Sequence, residues 1–105
     1  MTRQTLPNRR PHEIVTFEHA GHRYHAGVGH FPDGRLAEIF INSTKVGSSA
    51  AINASDAAIA ASLLLQFGCP VDTLRRALTR NTDGSAAGPL GAMLDLLRNA
   101  AIAGN

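Results

Sequence analysis

Apolar and polar residues alternate along the first part of the chain and recur at helical spacing along the rest. The alternation predicts β-strands over residues 12–19, 22–31 and 35–42. Ala20-Gly21 joins the first two strands as a tight hairpin, because glycine tolerates the positive φ that such turns require. Pro32-Asp33-Gly34 supplies the next turn, with glycine where a bulge needs the left-handed region. The pattern therefore predicts a three-stranded antiparallel meander.

Counting back from the hairpin turn gives the register of the first two strands and the composition of both sheet faces. The expected cross-strand pairs are His19 with His22, Phe17 with Tyr24, and Val15 with Ala26. One face is expected to carry Val15, Phe17, Tyr24, Val28, Leu36 and Phe40. The other is expected to carry Ile14, Phe31, Ala37, Ile39 and Ile41 beside Gly27 and Gly29. Glycines leave room for a helix to approach that second face closely. Because both faces are apolar, we favour homodimerisation or docking of a partner through one of them.

Three helices are predicted after the sheet. The first is rich in alanine, begins after Gly47-Ser48-Ser49, where a serine can cap the free amides, and ends at Gly68. The second covers residues 71–80, and the third begins at Pro89, a favoured first-turn residue. The predicted fold class is α+β, in the order βββααα, with the long first helix packed on the sheet. Residues 1–11 are expected to form a flexible basic arm, 12–99 a single domain and 100–105 a frayed tail.

One carboxylate interrupts the apolar stripe of the first helix. Asp56 falls on the face defined by Ile52, Ile59, Leu63 and Phe67. If that face is buried, Asp56 needs hydrogen bonds from loop amides or an arginine or histidine partner, because an unpaired buried charge is costly. A structural role is favoured for this carboxylate, and a functional role stays open.

Composition and charge narrow the classes of protein. A chain of 105 residues is one domain by length. Its single cysteine, Cys69, allows no internal disulfide, and no signal-peptide pattern is present, so a cytoplasmic location is expected. No apolar run reaches the roughly 20 residues that span a bilayer. The net charge of +2 is unevenly distributed, since Arg3, Arg9 and Arg10 all precede the first acidic residue, Glu13.

Five short motifs follow one another in an order that resembles one known family. They are LPNRRPHE, FPDGRLAEIFIN, KVGSS, DAAIAASLLLQFGCP and GPLGAMLDLL, and together they run from Leu6 to Leu97. In order and spacing they are similar to the TSCPD domain, which is found at the C-terminal end of adenosylcobalamin-dependent ribonucleotide reductases and as small free-standing proteins. The closing GPLGAMLDLL is most similar to the free-standing members.

The resemblance implies the context of ribonucleotide reductase without its chemistry. Ribonucleotide reduction, as the family implies it, needs a radical-bearing cysteine, a pair of reducing cysteines and a large barrel, whereas this chain has one cysteine in 105 residues. We therefore expect a non-catalytic accessory or regulatory module without a cofactor, with a ribonucleotide reductase chain as one candidate partner. Cys69, between Gly68 and Pro70, is expected to be a small buried apolar residue rather than a reactive thiol at a helix N-terminus.

The loop between the third strand and the first helix is the best candidate for binding a ligand. Its candidate residues for an anion or a nucleotide are Lys45, Gly47, Ser48 and Ser49, whose amides, hydroxyls and ammonium could converge on a phosphate or carboxylate. The full phosphate loop GxxxxGK[ST] is absent, so a capped helix beside a solvated lysine is the plainer interpretation.

Histidines suggest a metal site or an acid–base pair. His12, His19, His22, His25 and His30 lack the cysteine or carboxylate spacing of a tetrahedral site, so no metal is expected. His30, Glu38 and Glu13 could cluster on the aromatic face, where Glu38 would lie diagonally from His30 as a pH-sensitive pair. Glu38 and His30 therefore join Asp56 as candidate buried polar residues.

The alternative function is a small basic nucleic-acid-binding protein. In that case Arg3, Arg9 and Arg10 would contact phosphates. The supporting arginines would be Arg23, Arg35, Arg75, Arg76 and Arg80. Arginines scattered over strands and helices need not share one surface, so the accessory module, acting by nucleotide or anion binding or by protein docking, is the preferred hypothesis.

Overall fold

The computed structural model describes residues 2–7, 12–45 and 47–103, with side chains only up to residue 99 in the last helix. Arg9 and Arg10 lie outside these residues. The elements are β1 (Glu13–His19), β2 (His22–His30), β3 (Leu36–Ser43), α1 (Ser49–Gln66), α2 (Val71–Ala77) and α3 (Pro89–Ala103). The strands form one antiparallel sheet in the order β1-β2-β3. The predicted α+β fold, a meander followed by three helices, is confirmed.

The hairpin between β1 and β2 has the predicted register. His19 pairs with His22, Phe17 with Tyr24 and Val15 with Ala26. Ala20 and Gly21 both have positive φ, 50° and 80°, as a two-residue turn between twisted strands requires. The rings of the Phe17–Tyr24 pair stack with their centroids 5.4 Å apart.

The predicted sheet faces were wrong in β3. The register between β2 and β3 shifts at Gly29 and His30, so that Val28 lies opposite Ile39. A bulge inverts the alternation beyond it. The inner face therefore carries Phe17, Tyr24, Ala26, Val28, Ile39 and Ile41. Phe40 and the two strand glycines lie on the outer face, which α1 does not cover, so the predicted approach of a helix to the glycine face was also wrong.

α1 packs on the sheet with its small residues. Its buried apolar positions are Ala54, Ala58, Ala61 and Leu65. The predicted inward stripe points to solvent instead: Ile52 and Ile59 are each 54% exposed, Leu63 40% and Phe67 39%. Large side chains already fill the inner sheet face, so close packing is reached with alanine on the helix. Asp56 lies on the exposed side, and the expectation that it is buried was wrong.

α1 also covers the outer edge of β3. The Ser62 hydroxyl accepts a hydrogen bond from the Ile39 N–H at 2.8 Å and lies 3.0 Å from the Ile39 carbonyl oxygen. One turn later, the Gln66 side-chain amide donates to the Ala37 carbonyl at 3.2 Å. These bonds satisfy backbone groups that an edge strand would otherwise leave unpaired.

The remaining elements close the other end of the core. α2 ends at Ala77, earlier than expected, because the chain leaves the helix for a short antiparallel bridge between Arg80 and Ala86. α3 contributes Leu90, Met93 and Leu94 to the core and continues to Ala103, past the expected domain boundary. No helix in the described part of the chain is long and apolar enough to cross a membrane.

Candidate functional site

Ser48 organises the loop before α1. Its hydroxyl accepts a hydrogen bond from the Ala51 N–H at 3.1 Å and donates to the Lys45 carbonyl at 2.9 Å. The predicted serine cap is therefore present, and the hydroxyl is used by the fold itself. Lys45, Gly47 and Ser49 are exposed around it. The four candidate residues thus lie together in one capped turn, and their binding of an anion stays a prediction.

Glu38 is buried, as predicted, but it lies on the outer sheet face and not on the face of Phe17 and Tyr24, where it was expected. Only 3% of the residue is exposed, and its carboxylate Oε2 lies 3.1 Å from His12 Nε2. The side chain crosses β2 over Gly29, where a Cβ would fall 2.6 Å from that oxygen. The missing side chain at Gly29 therefore creates the space through which Glu38 of β3 meets His12 before β1.

His30 takes no part in this pair, and its predicted burial was wrong. The bulge places His30 opposite Leu36, and the residue is exposed. Glu38 lies opposite Gly29 instead, which directs its carboxylate toward the start of β1. Sequence reasoning found the buried acid but chose the wrong histidine, because the bulge cannot be read from residue parity.

Two large apolar side chains are exposed on the outer sheet face. Ile14 is 72% exposed and Phe40 44%, and they flank Gly27 across the three strands. A Cβ at Gly27 would lie 3.6 Å from Ile14 Cδ1 and 3.7 Å from Phe40 Cδ2. Together these three residues form the outer sheet patch.

A groove separates the outer sheet patch from the exposed side of α1. It holds about 520 Å³ and is lined by Phe40, Ile59 and Leu63, with Glu38 and Gln66 among its polar residues. The N-terminal segment crosses one end. The Gln4 N–H donates to the Gln66 carbonyl at 2.7 Å, and Arg3 Nε donates to the Gln66 side-chain oxygen at 2.6 Å. This part of the predicted arm is thus bonded to the domain.

Most arginines of the described chain are paired with carboxylates. Arg23 pairs with Glu18 and Arg35 with Asp33. Arg75, Arg76 and Arg80 contact Asp72 or Asp95. The structure therefore does not bring them together as an uncompensated basic surface, which is what phosphate binding requires.

Cys69 is half-buried rather than buried, and it packs against the core. Its thiol lies 3.6 Å from the Pro70 carbonyl oxygen. Among the residues that the structure describes, no three histidine, cysteine or acidic side chains are grouped as they would be around a metal ion.

Comparison with known proteins shows which proteins the chain is similar to. A region of 77 residues, 73% of the chain, is 39% identical to a vitamin B12-dependent ribonucleotide reductase of Agrobacterium fabrum. A region of 88 residues, 84% of the chain, is 38% identical to that of Bradyrhizobium diazoefficiens. The chain is homologous to a segment of these reductases. It spans only 6% and 7% of their lengths.

Other relatives agree with this similarity. The vitamin B12-dependent ribonucleotide reductase of Rhodopirellula baltica is 35% identical over 72 residues, which are 69% of this chain and 7% of the relative. No family model matches the chain. No solved structure matches it either.

Sequence reasoning missed the exposed side of α1 as a candidate surface. It assumed that the larger apolar residues face the core. The signal was present in the spacing of Ala54, Ala58 and Ala61, which recur every three or four residues as a second helix face. A helix with small residues on one side and large apolar residues on the other can bury either side.

Proposed function

We propose that this chain is a non-catalytic accessory module of ribonucleotide reduction, of the TSCPD type, that docks on a B12-dependent ribonucleotide reductase. The outer sheet patch is the docking surface. The observation that carries the proposal is the exposure of Ile14 and Phe40 side by side, in a chain homologous to a segment of such enzymes. Adjacent large apolar side chains on one sheet face are typical of a surface that is covered in an assembly.

The surroundings of the patch support protein docking. Glu38 and His12 lie at one end, and Phe40 contacts the His12 ring edge-on at a centroid distance of 5.5 Å. An apolar centre with polar groups at its margin is the usual arrangement of a protein interface. The polar pair would select the orientation of the partner, while the apolar residues would supply most of the affinity.

Two other modes of action are less well supported. Binding of a nucleotide or anion at Lys45, Gly47, Ser48 and Ser49 competes with the cap, because the Ser48 hydroxyl already has a donor and an acceptor. Nucleic-acid binding would need arginines that are free to meet phosphates, and five of the described arginines pair with acids, namely Arg23, Arg35, Arg75, Arg76 and Arg80. A cysteine-based reductase reaction by this chain alone lacks the cysteines.

The test measures binding of the purified chain to the purified reductases of Agrobacterium fabrum and Bradyrhizobium diazoefficiens by biolayer interferometry. We expect saturable binding that Ile14→Glu weakens at least about tenfold, because a charge would be desolvated in the interface. The matched control is Leu96→Glu, which changes a residue of α3 that is 45% exposed and lines a cavity at the hairpin end of β1, whose lining includes neither Ile14 nor Phe40. It should leave the affinity unchanged.

Lys45→Ala separates docking from ligand binding. It should alter neither the affinity for the reductase nor the heat signal on titration with ribo- and deoxyribonucleotides. Absence of binding to both reductases, or binding that Lys45→Ala abolishes and Ile14→Glu does not, would overturn the proposal.

A further inference from the structure

A cavity of about 360 Å³ lies between α1, the start of α3 and the inner face of the sheet. Its walls are mostly apolar, with Ala54, Ala57 and Leu90 among them. Asn53 and Thr79 also line it, and both residues are exposed, so the cavity is open to solvent on their side. A concave apolar space with a few polar groups is the usual form of a small-molecule site.

Tyr24 is the residue through which the sheet meets this cavity. It lies on the inner face of β2, is only 3% exposed and stacks its ring on Phe17. A side chain on a strand stands roughly perpendicular to the sheet, so the hydroxyl end of Tyr24 is the part that reaches the space between the helices. Within the described part of the chain this hydroxyl makes no hydrogen bond, although buried tyrosine hydroxyls usually have a partner. It is therefore available to a ligand.

The start of α3 supplies two more donors to the same cavity. The Gly88 carbonyl accepts the first helical hydrogen bond, from the Ala92 N–H at 3.1 Å, which makes Gly88 the cap residue. Pro89 follows and has no N–H, so the free amides of the first turn are those of Leu90 and Gly91. A cap side chain would normally accept their hydrogen bonds, but glycine has none. Among the described residues neither N–H has an acceptor.

We propose that this cavity binds a small ligand that carries one oxyanion, a carboxylate or a phosphate monoester, on an apolar body. The oxyanion accepts hydrogen bonds from the N–H groups of Leu90 and Gly91 and from the Tyr24 hydroxyl, while the apolar body lies against the alanines of α1. The positive end of the α3 dipole favours the negative charge. No acidic side chain is present in the first turn of α3 or in the described lining to repel it.

The donors select an anion over other classes of ligand. A metal cation needs carboxylate, thiolate or imidazole ligands, and the described lining has none of these. A purely apolar molecule would dehydrate the Tyr24 hydroxyl and two amides without giving them acceptors, which costs affinity. A polyanion such as nucleic acid would need lysines or arginines, which the described lining also lacks.

The cavity is separate from the surfaces discussed above. Its described lining includes neither Ile14 nor Phe40 of the outer sheet patch, nor Lys45 of the loop before α1. This inference therefore does not depend on docking to a reductase, and the two can be tested independently.

Titration of the full chain followed by ¹⁵N NMR tests the proposal. The probes are benzoate and phenyl phosphate, with benzyl alcohol as the neutral counterpart and inorganic phosphate as the oxyanion without an apolar body. We expect saturable shifts of the Leu90 and Gly91 amide resonances, with a dissociation constant of about 0.1–10 mM for at least one of the two aromatic anions. Whichever of the two binds more tightly distinguishes a carboxylate ligand from a phosphate ligand. Benzyl alcohol and inorganic phosphate should each bind at least about tenfold more weakly.

Two variants separate the donors. Tyr24→Phe should weaken binding of the aromatic anions at least about tenfold, as loss of a hydrogen bond to a charged group does. Because the hydroxyl has no partner in the described chain, the midpoint of urea denaturation should not fall. Gly88→Ser places a hydroxyl where it can cap the Leu90 and Gly91 amides, and it should abolish saturable binding.

Gly88→Ala is the matched control for the serine variant. The φ of Gly88 is not positive, and a Cβ at this position would meet no atom within 4 Å, so alanine fits but offers no acceptor. It should change the affinity by less than about threefold, since no hydrogen bond is lost. Equal affinities of Gly88→Ser and Gly88→Ala would contradict the assignment of the amides.

Other results would overturn the site itself. They are shifts confined to Lys45, Ser48 and Ser49, benzyl alcohol that binds as tightly as the anions, or no saturable shift with any probe up to about 20 mM. Ile14→Glu should leave probe binding unchanged. A chain that binds a probe but neither reductase supports the cavity and overturns the proposed function, and a chain that binds a reductase but no probe does the reverse.

Discussion

At the scale of single residues, Gly29 decides the shape of the outer sheet face. Its φ is ordinary, so what it provides is space and not backbone freedom. Glu38 Oε2 would lie 2.6 Å and Cγ 2.9 Å from a Cβ at this position. Both distances are shorter than real contacts between such atoms, so any side chain here displaces the buried carboxylate from His12.

Gly29→Ala should therefore lower the free energy of unfolding by about 1–3 kcal/mol, as overpacking of a filled site does. Gly27→Ala is the matched control in the same strand, because its Cβ would meet Ile14 and Phe40 at ordinary distances of 3.6 and 3.7 Å. It should change stability by less than about 1 kcal/mol. Urea denaturation of both variants gives the comparison, and equal costs would contradict this account of Gly29.

The polar residues show how far sequence reasoning reaches at this scale. Burial of Glu38 was predicted, because strand alternation assigned it to the aromatic sheet face. Its partner was not, since the choice between His12 and His30 depends on a one-residue shift at Gly29 and His30. A bulge depends on how a turn joins two strands in space, and residue types specify that weakly.

At the scale of elements, α1 was predicted in its bounds but not in its rotation. Ser48 and Gly68 mark its ends by capping chemistry that acts within a few residues. Which side faces the sheet depends instead on the volume already present there. Against a face that carries Ile39 and Ile41, the helix packs three alanines and Leu65. Local signals therefore determine where the helix begins and ends, whereas packing determines which of its sides faces the sheet.

Ser62 connects α1 to β3 and gives a test of edge protection. Ser62→Ala would leave the N–H of Ile39, a fully buried residue, without its 2.8 Å acceptor. We expect a loss of about 1–3 kcal/mol in the free energy of unfolding, the usual cost of an unsatisfied buried donor.

Ser55→Ala is the control for this change, because it makes the same replacement in the same helix at a half-buried position. Both variants gain the same helix propensity, so their difference reports the hydrogen bonds of the Ser62 hydroxyl, to Ile39 of β3 and to the Ala58 carbonyl. Chemical denaturation measures it, and a Ser62→Ala variant as stable as Ser55→Ala would show that water replaces the serine.

At the scale of the whole molecule, one carboxylate joins the last two helices. Asp95 of α3 accepts hydrogen bonds from Arg80, one of them at 2.9 Å, and from Arg75 of α2 at 3.3 Å. The Arg80 hydrogen bond holds the pKa of Asp95 below its usual value, against partial desolvation that would raise it. The ionised form is thus favoured in the folded state.

Because the pKa of Asp95 is lower in the folded state, its carboxylate stabilises the fold at pH values above the unfolded-state pKa of about 3.9. That stabilisation is lost as the pH falls through the folded-state pKa. Asp95→Asn should therefore cost about 1–2 kcal/mol at pH 7 and progressively less below about pH 4. Thermal unfolding from pH 7 to pH 3 measures this. A constant cost for Asp95→Asn across the range would contradict the assignment.

The order of elements was predictable over the whole chain, because each begins and ends with local turn or cap chemistry. The assembly of elements was less so. The pairing of α2 with α3 through Asp95 joins residues 15 and 20 positions apart in sequence, and no periodic pattern points to it. Which apolar residues remain exposed after folding depends on all of these contacts, so the exposed apolar surfaces could not be predicted from the sequence.

The hydrogen bonds between α1 and β3, made by Ser62 and Gln66, make the two edges of the sheet different. Within the described residues, β3 is closed along its outer edge by α1, whereas the backbone bonds of β1 run to β2 alone. As far as the described residues show, an additional strand can therefore join this sheet beside β1 but not beside β3. A domain with one closed and one open margin can end a larger sheet or begin one, but it cannot sit in the middle of it.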